Sequence, residues 1–101
     1  MTATFEAMAE PNRRRILELL GEGERPVSDL VGQLQISQPA VSKHLRILRQ
    51  AGLVEVRSQA QRRLYRVRSE PLHEMYEWLH QYRRLWESRL DKLEGHLDEM
   101  A

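Results

Sequence analysis

Three polar residues lie four positions apart near the middle of the chain: Gln38, Ser42 and Arg46. On an α-helix this spacing places all three on one face, with Lys43 and Arg49 on the same exposed side. An α-helix fits the major groove of B-DNA, where glutamine can bind adenine and arginine or lysine can bind guanine. The alternative is an ordinary polar helix surface, which has the same residue types.

Basic residues are concentrated around these positions. Residues 38–68 contain eight lysine and arginine residues and one acidic residue, Glu55, whereas the rest of the 101-residue chain carries eight bases and fourteen acids. The two parts therefore have net charges of +7 and −6, which sum to the overall charge of +1. Such a basic block is typical of a nucleic-acid-binding surface, although a solvated charged face would have the same composition.

The elements that must position these side chains are mostly helical. Residues 2–9 predict a short helix, and the stretch from Pro11 to Gly21 predicts a second one with an apolar stripe. The run of arginines at 13–15 opens this second helix, and we expect it to have a structural role. Arg14 and Glu18 have the i, i+4 spacing of a local ion pair.

A pair of helices is predicted next. Ser28 is expected to cap a short helix, and Ser37 is expected to cap the helix 38–51, which Gly52 ends. The free N–H groups after Ser37 also suit a phosphate. Two helices joined by about three residues form a helix-turn-helix over residues 28–51. The inward apolar positions are Leu30, Val31, Leu34, Val41, Leu45 and Leu48.

His44 lies between the inward and outward faces of the helix 38–51. We expect its imidazole to contact either the packed interior or a phosphate. Neither contact by itself predicts a catalytic or metal-binding role.

A β-hairpin is predicted after the helix-turn-helix, because residues 53–57 and 62–68 alternate at period two. The four residues between the strands contain no glycine, and a type I′ turn needs positive φ at both central residues. We therefore expect a wider loop in place of a tight two-residue turn. The expected inward positions are Val54, Val56, Tyr65 and Val67.

One long helix is predicted over residues 70–100, with apolar residues at alternating spacings of three and four. Left unpaired, its aromatic side chains would form a large exposed apolar patch, so we predict a homodimer. The expected dimer-interface residues are Phe5, Met8, Leu72, Met75, Leu79, Tyr82, Trp86, Leu90 and Leu93.

Several kinds of chemistry are not expected from this sequence. The chain has no cysteine, which excludes thiolate nucleophiles, disulfides and cysteine metal ligands. No glycine-rich phosphate loop and no serine with a placed base occurs, so we expect no enzyme activity. His96 and Glu99 have a ligand-compatible spacing, but zinc needs three or four ligands, and we expect neither a metal nor another cofactor.

The same composition bears on location. No apolar run reaches the length of a membrane span, and the first residues lack the pattern of a secretory signal. The absence of cysteine fits a reducing compartment. We expect a cytoplasmic protein that has no membrane partner.

Four runs, in order, resemble the ArsR/SmtB-type winged-helix transcription regulators of bacteria. They are residues 7–17 (AMAEPNRRRIL), 37–45 (SQPAVSKHL), 48–54 (LRQAGLV) and 62–67 (RRLYRV). The resemblance implies a mainly α fold with a small β-hairpin, in one winged helix-turn-helix domain over residues 1–101. It implies four helices, a wing at 54–67 and a dimerisation helix at 70–100.

The resemblance also implies a homodimeric repressor that binds an inverted-repeat operator in double-stranded DNA. Metal sensors of the family often carry a cysteine pair where this chain has Pro26 and Ser28, so a thiolate metal site is not implied here. No effector is indicated. The expected DNA-binding residues are Ser37, Gln38, Pro39, Ser42, Lys43, Arg46, Arg49, Arg62 and Arg63.

A second hypothesis is kept beside this one. The chain could be a winged-helix interaction module whose long final helix docks a protein partner and whose basic face binds DNA only non-specifically. The coincidence of basic residues with the helix-turn-helix and the hairpin favours the first hypothesis.

Overall fold

The computed structural model describes residues 1–89, which form five helices and one antiparallel hairpin up to residue 80. Residues 83–89 are again helical, after a turn at 81–82. This order of elements is the predicted winged helix-turn-helix. The elements are α1 Thr2–Met8, α2 Pro11–Gly21, α3 Val27–Leu34, α4 Gln38–Gln50, β1 Val54–Gln59, β2 Arg62–Val67 and α5 Glu70–His80.

The hydrophobic core lies between α2, α3, α4 and the base of the hairpin. The inward stripe predicted for α4 is confirmed, since Val41, Leu45 and Leu48 are at most 1% exposed. These positions recur every three or four residues, so burying them turns the opposite side of α4 towards solvent. The largest fully buried side chains are Ile16, Leu30, Leu45, Leu48, Leu53 and Val41.

The two predicted N-caps of the helix-turn-helix differ in outcome. Ser37 caps α4 as predicted, because its hydroxyl accepts a hydrogen bond from the backbone N–H of Ala40 at 3.2 Å. The prediction for Ser28 is wrong, since α3 begins at Val27 and Pro26 occupies the N-cap position. Pro26 has the extended backbone that an N-cap requires, and it places Ser28 inside the first turn.

The turns that end α3 and α4 use different residues. Gly52 follows the end of α4 with φ +76, which confirms the predicted stop. Gln35 ends α3 in the left-handed region with φ 57 and donates its N–H to the carbonyl of Val31 at 3.0 Å. A non-glycine residue therefore closes the helix-turn-helix turn.

The hairpin is tighter than expected. Gln59 pairs with Arg62, so Ala60 and Gln61 alone connect the strands, and the expectation of a wider loop is wrong. Ala60 has φ 54 and Gln61 does not have positive φ, so the turn is not type I′. The strand register explains the short loop. Side chains at the base of the hairpin face the core and fix the register, and in this register Gln59 and Arg62 are paired.

Both faces of the hairpin are covered in part. Val54 and Tyr65 are buried on the predicted inward face, where Val56 and Val67 are partly buried. Leu64 is buried on the opposite face, which period-two alternation did not predict. The backbone of Tyr65 also exchanges two hydrogen bonds with Arg25, at 3.0 and 2.8 Å, which adds a short bridge beside β2.

The prediction of one continuous final helix is wrong for the described residues. α5 ends at His80 because the backbone N–H of Tyr82 donates to the carbonyl of Leu79 instead of that of Trp78. The carboxamide of Gln81 donates to the Trp78 carbonyl at 2.9 Å and so occupies it. A glutamine side chain thus replaces one bond of the helical ladder.

The arginine run at 13–15 has a structural role, as predicted, but not through the expected pair. Arg13 donates to the carbonyls of Ala7 and Glu6 at 2.6 and 3.2 Å. Arg14 donates to the carbonyls of Met8 and Ala9 at 2.8 and 3.1 Å, so it does not pair with Glu18. The guanidinium groups of α2 satisfy the last carbonyls of α1, which lack helical partners.

The arginine bonds between α1 and α2 can be tested by substitution. We expect Arg13→Gln to lower the free energy of unfolding by about 1–2 kcal/mol, because charge-assisted hydrogen bonds to carbonyls are lost. Arg15 is the matched control, since it pairs only with exposed Glu18 on its own helix, at 3.1 Å. Arg15→Gln should change stability by less than about 0.5 kcal/mol. Equal effects in urea denaturation would contradict a structural role specific to Arg13.

Candidate nucleic-acid interface

The outer face of α4 carries the side chains that could contact base edges. Gln38, Ser42 and Arg46 are exposed and follow one another at four-residue spacing, on a stripe beside the buried one. Arg49, three positions after Arg46, is exposed on the same stripe, and Lys43 is exposed farther round the helix, opposite the buried side. The helix therefore presents amide, hydroxyl and guanidinium groups together, which are the groups that bind bases in the major groove.

The N-terminus of α4 forms one end of this face. Ser37, Gln38 and Pro39 are all exposed there, and the Ser37 hydroxyl is used as the cap. Pro39 lies in the first turn, where its missing N–H costs no helical hydrogen bond. The backbone N–H of Gln38 remains free in this turn, and a helix start attracts anions, so this end suits a phosphate.

The basic residues of the 38–68 region divide into two groups. Three arginines in or beside the hairpin lie within ion-pair distance of a carboxylate, in the pairs Arg57–Glu24, Arg66–Glu55, Arg68–Glu55 and Arg68–Glu70. The other five make no ion pair with any carboxylate of residues 1–89. These five are Lys43, Arg46, Arg49, Arg62 and Arg63, which are all the basic residues predicted to bind DNA.

The strand register separates the two arginines near the wing tip. Arg62 pairs with Gln59 and Arg63 pairs with Ser58, and both arginines are exposed. Adjacent residues of a strand point to opposite faces, so Arg63 shares the face of Tyr65 and Arg62 shares the face of Leu64. The two guanidinium groups therefore leave the hairpin in opposite directions.

An ion pair joins the wing to the segment before α3. Arg57 donates to both carboxylate oxygens of Glu24, with its Nε 2.8 Å from Oε2. The hydrogen bond from Arg57 holds the pKa of Glu24 below its ordinary value and raises the pKa of Arg57. No local pattern could have revealed this contact, because the two residues are 33 positions apart.

One buried polar atom of α4 has no hydrogen-bond partner. His44 Nδ1 lies 3.8 Å from Oε2 of Glu10, the residue that precedes α2. The imidazole therefore packs inward at the edge of the exposed face, and its nearest carboxylate belongs to the N-cap of another helix. His44 was expected to contact either the interior or a phosphate, and the contact seen is with the interior.

The exposed aromatic side chains of α5 and of residues 81–89 form the second surface of interest. No residue of α5 is buried, and Trp78, Tyr82 and Trp86 are 41–53% exposed. Trp78 packs edge-on against Phe5 of α1, with ring centroids 5.6 Å apart. Next to it is an open cleft of about 250 Å³, lined by Tyr76, Leu79, His80, Arg83, Trp86 and Glu87.

The predicted dimer residues are distributed along this surface. Phe5, Tyr82 and Trp86 are exposed. Leu90 and Leu93 lie outside the described residues. The remaining four are partly buried in the single chain: Met8, Leu72, Met75 and Leu79.

Metal ligands do not cluster in the part of the chain that the structure describes. Among residues 1–89 no group of three His, Asp or Glu side chains is placed to hold a metal ion. His96 and Glu99, which have ligand-compatible spacing, lie outside that range. Over the same residues, no helix has both the length and the apolar character needed to cross a membrane.

Comparison with known proteins identifies the family. The sequence model described as bacterial regulatory protein, arsR family, matches residues 10–56, which run from the N-cap of α2 into β1. The transcriptional repressor SdpR of Bacillus subtilis is 33% identical over 79 residues, covering 78% of this chain and 88% of SdpR. The chain belongs to the ArsR family.

Other relatives of this ArsR-family chain agree with the fold. The transcriptional activator HlyU of Vibrio cholerae is 41% identical over 76 residues, covering 75% of this chain and 70% of HlyU. A solved structure of an ArsR-like transcriptional regulator from Rhodococcus sp. RHA1 superimposes with a TM-score of 0.74 at 29% identity, covering 93% of this chain and 89% of that one. The chain is a DNA-binding transcription regulator of the winged-helix class.

The attachment of the wing in this ArsR-family protein should weaken at acid pH. The lowered pKa of Glu24 means that its pair with Arg57 is intact above the ordinary value of 4.5 and is lost as the pH falls through the lowered pKa. We expect the Tyr65 amide to lose a small part of its hydrogen-exchange protection as the pH falls below 4.5 and through the lowered pKa of Glu24. In Glu24→Gln its protection should be slightly lower than in wild type at neutral pH, because an exposed pair contributes little, and should not change as the pH falls.

A matched control separates this effect from general acid unfolding. Glu18→Gln removes an exposed pair within α2 and should leave the acid response of the wing unchanged. If Glu24→Gln and wild type lost wing protection in parallel as the pH falls, the pair would not be what holds the wing.

Proposed function

We propose that this protein is a homodimeric repressor that binds an inverted-repeat operator through α4 and the base of the wing. The observation that carries the proposal is the division of the basic residues. Five of them are exposed and make no ion pair within residues 1–89, and they lie on α4 and on β2 next to the wing tip. Positive charge with no protein partner, on a helix that can enter the major groove, is what phosphate and base contacts require.

Within this proposal the residues of α4 have two roles. Gln38, Ser42 and Arg46 contact base edges, because they form one exposed stripe along α4. The backbone N–H of Gln38, which stays free between Ser37 and Pro39 at the start of α4, contacts a phosphate. Lys43, which flanks this stripe, and Arg49, at its C-terminal end, contact the DNA backbone.

The wing contributes phosphate contacts that do not depend on sequence. Arg62 and Arg63 point in opposite directions, so they would contact phosphates at different places on the duplex. The tip, residues 58–61, carries no basic side chain, and we do not assign it a minor-groove contact. The wing therefore adds affinity, and α4 supplies the specificity.

The dimer is proposed to form through α1 and the final helix. We propose one domain over residues 1–101, with the helix-turn-helix at 28–51, the wing at 54–67 and the dimerisation helix at 70–100. Support comes from the exposed aromatic face that Phe5 extends onto α1. A twofold dimer would cover this face and present two copies of α4 to two half-sites about one helical turn apart.

Repression is proposed over activation because the resemblance to the ArsR family implies a repressor, as SdpR is. The named relatives include both kinds of regulator, the repressor SdpR and the activator HlyU. We further propose that the protein acts in the cytoplasm by binding alone, without catalysis, metal or cofactor. A reporter gene placed behind its own upstream region should be expressed more strongly when the protein is deleted.

The second candidate is a protein-interaction module with only non-specific DNA binding. The exposed aromatic face of α5 and its cleft favour this candidate, because a protein partner could also cover them. A gel-shift assay with the DNA upstream of its own gene distinguishes the two. The complex of a repressor with this DNA should persist when scrambled competitor DNA is added. A non-specific binder should be displaced equally well by scrambled and by upstream competitor DNA.

Two kinds of DNA contact should be separable by mutation. Arg46→Ala should cost about 1–3 kcal/mol per half-site on the preferred sequence and reduce discrimination there. Arg62→Ala should weaken binding to all sequences alike and lower the salt slope by about one per lost phosphate contact. Arg66→Ala is the control, because Arg66 is already paired with Glu55. Gel-shift titrations at several salt concentrations measure the DNA affinity of all three variants.

If Arg46→Ala and Arg66→Ala had the same effect on affinity and sequence preference, the outer face of α4 would not be the specificity surface. An unchanged salt slope in Arg62→Ala would remove the wing from the interface.

The dimer can be tested without disturbing the core, because Trp86 is 53% exposed in the single chain. We expect wild type to sediment as a dimer at micromolar concentration. Trp86→Ser should weaken the dimer at least about tenfold, since tryptophans at interface centres commonly contribute more than about 2 kcal/mol. Glu77→Ala should have no effect, because Glu77 is exposed on α5 and is not one of the predicted dimer-interface residues. A wild-type chain that stays monomeric at micromolar concentration would contradict the proposed dimer.

A further inference from the structure

The ion pair between Arg57 and Glu24 lies on the surface of the wing. Arg57, near the middle of β1, donates hydrogen bonds to both carboxylate oxygens of Glu24, and its Nε lies 2.8 Å from Oε2. The side chain of Arg57 is 44% exposed and that of Glu24 is 30% exposed. Another anion could therefore replace the carboxylate on this guanidinium without disturbing the core.

The strand register places Arg57 beside an arginine already proposed to contact DNA. Arg57 pairs with Leu64 and Gln59 pairs with Arg62, so Arg57 and Arg62 are diagonal neighbours across the two strands. Because side chains alternate between the two faces of a strand, both guanidinium groups leave the same face of the hairpin. Diagonal neighbours are about 7–8 Å apart, a separation that long side chains can bridge. An extended anion bound at Arg62 is therefore within reach of Arg57.

Glu24 brings its negative charge to the wing from another part of the fold. It precedes α3, and the next residue, Arg25, exchanges two backbone hydrogen bonds with Tyr65 of β2. The hydrogen bond from Arg57 holds the pKa of Glu24 below its ordinary value of 4.5, so the carboxylate is charged at neutral pH. The fold thus places a permanent anion against one arginine of the wing.

Glu24 is the only carboxylate of residues 1–89 within ion-pair distance of Arg57. Glu55, two positions earlier on the same strand, is hydrogen-bonded to Arg66 and lies 3.8 Å from Arg68. It is therefore already engaged with two other arginines. Removing the charge of Glu24 would leave the exposed guanidinium of Arg57 with no carboxylate bound to it.

The pair adds only a little to the attachment of the wing. Exposed ion pairs contribute little to stability. The backbone bonds between Arg25 and Tyr65, together with the buried side chains of Leu64 and Tyr65, attach the wing without it. The larger consequence of the pair is electrostatic, because it cancels one positive charge on the face of the hairpin that carries Arg62.

We propose that Arg57 is a further phosphate-binding residue of the wing and that Glu24 withholds it from DNA by pairing with it. A phosphate must displace the carboxylate to reach this arginine, so the exchange of one anion for another adds little net affinity. Without Glu24, the same phosphate contact would strengthen binding through counterion release. Because phosphate contacts carry no sequence information, Glu24 limits the part of the affinity that is independent of sequence. The inference rests on the proposed function and adds to it a residue that restrains binding.

The test compares DNA affinity in variants that change the charge equally at different places. Glu24→Gln removes the carboxylate and leaves Arg57 unpaired. Glu18→Gln is the matched control, because it makes the same charge change and releases Arg15 on α2, which carries none of the proposed DNA-binding residues. The double variant Glu24→Gln/Arg57→Gln has the net charge of wild type.

Two duplexes serve as probes, one from upstream of its own gene and a scrambled one of the same length and composition. Gel-shift titrations at several salt concentrations give the affinity and the salt slope for each duplex. Thermal melting verifies that each variant is folded.

Glu24→Gln should bind both duplexes about three- to tenfold more tightly per bound subunit at about 0.1 M salt, because each added phosphate contact steepens the salt slope by about 0.9. The double variant should bind like wild type, to within about twofold, because the released arginine is gone. Glu18→Gln should also stay within about twofold of wild type, since salt screens charges that are distant from the DNA.

Three results would overturn the proposal. Unchanged or lower affinity in folded Glu24→Gln would mean that the pair does not restrain binding, and lower affinity would make it a support of the wing. An equal gain in Glu18→Gln would reduce the effect to general charge attraction. A gain that persists in the double variant would mean that Arg57 is not the residue released.

The two duplexes also separate this inference from the proposed function. If wild type prefers the upstream duplex and Glu24→Gln gains no affinity, the inference fails and the proposed function stands. If neither duplex is preferred but Glu24→Gln gains affinity that the added Arg57→Gln cancels, the inference stands and the proposed operator recognition fails. In ¹⁵N spectra of Glu24→Gln, the Nε–H signal of Arg57 should shift when either duplex is added, and an unshifted signal in the bound state would overturn the contact.

Discussion

The complete burial of one side of α4 is the constraint on which the rest of the structure depends. Val41, Leu45 and Leu48 are at most 1% exposed, and burying each such side chain contributes roughly 1.5–3 kcal/mol. Rotating α4 by one residue, about 100°, would expose this stripe and bring charged side chains towards the core. The rotation of the helix is therefore set by hydrophobic burial, and the direction of Gln38 and Arg46 follows from it.

Acidic residues decide where positive charge remains on the surface. Exposed ion pairs contribute little to the free energy of folding. The main effect of Glu24 and Glu55 is therefore to neutralise the charge of hairpin arginines. The middle of the hairpin therefore has a net charge near zero, while α4 and the residues next to the wing tip keep their positive charge. A chain with an overall charge of +1 can in this way present a local field strong enough to attract a polyanion.

Patterns within one element predicted the structure well, and contacts between distant elements were beyond them. The stripe of α4, the cap at Ser37, the stop at Gly52 and the strand pairing all follow from periodicity or from the chemistry of a single residue. The bonds from Arg13 to α1 and from Arg57 to Glu24 join residues whose proximity depends on the finished fold. Pro26, Ala60 and Gln81 were mispredicted because a neighbouring backbone or register overrode the local preference.

Both tryptophans of the chain, Trp78 and Trp86, lie beyond the start of α5, and neither is buried. Intrinsic emission from this protein therefore originates outside the core and reports on the environment of the final helical region alone. Covering that surface should shift the emission to shorter wavelength and protect it from a soluble quencher. Loss of the core between α2, α3 and α4 would be nearly silent in the same signal, so circular dichroism and emission would follow two different events in one molecule.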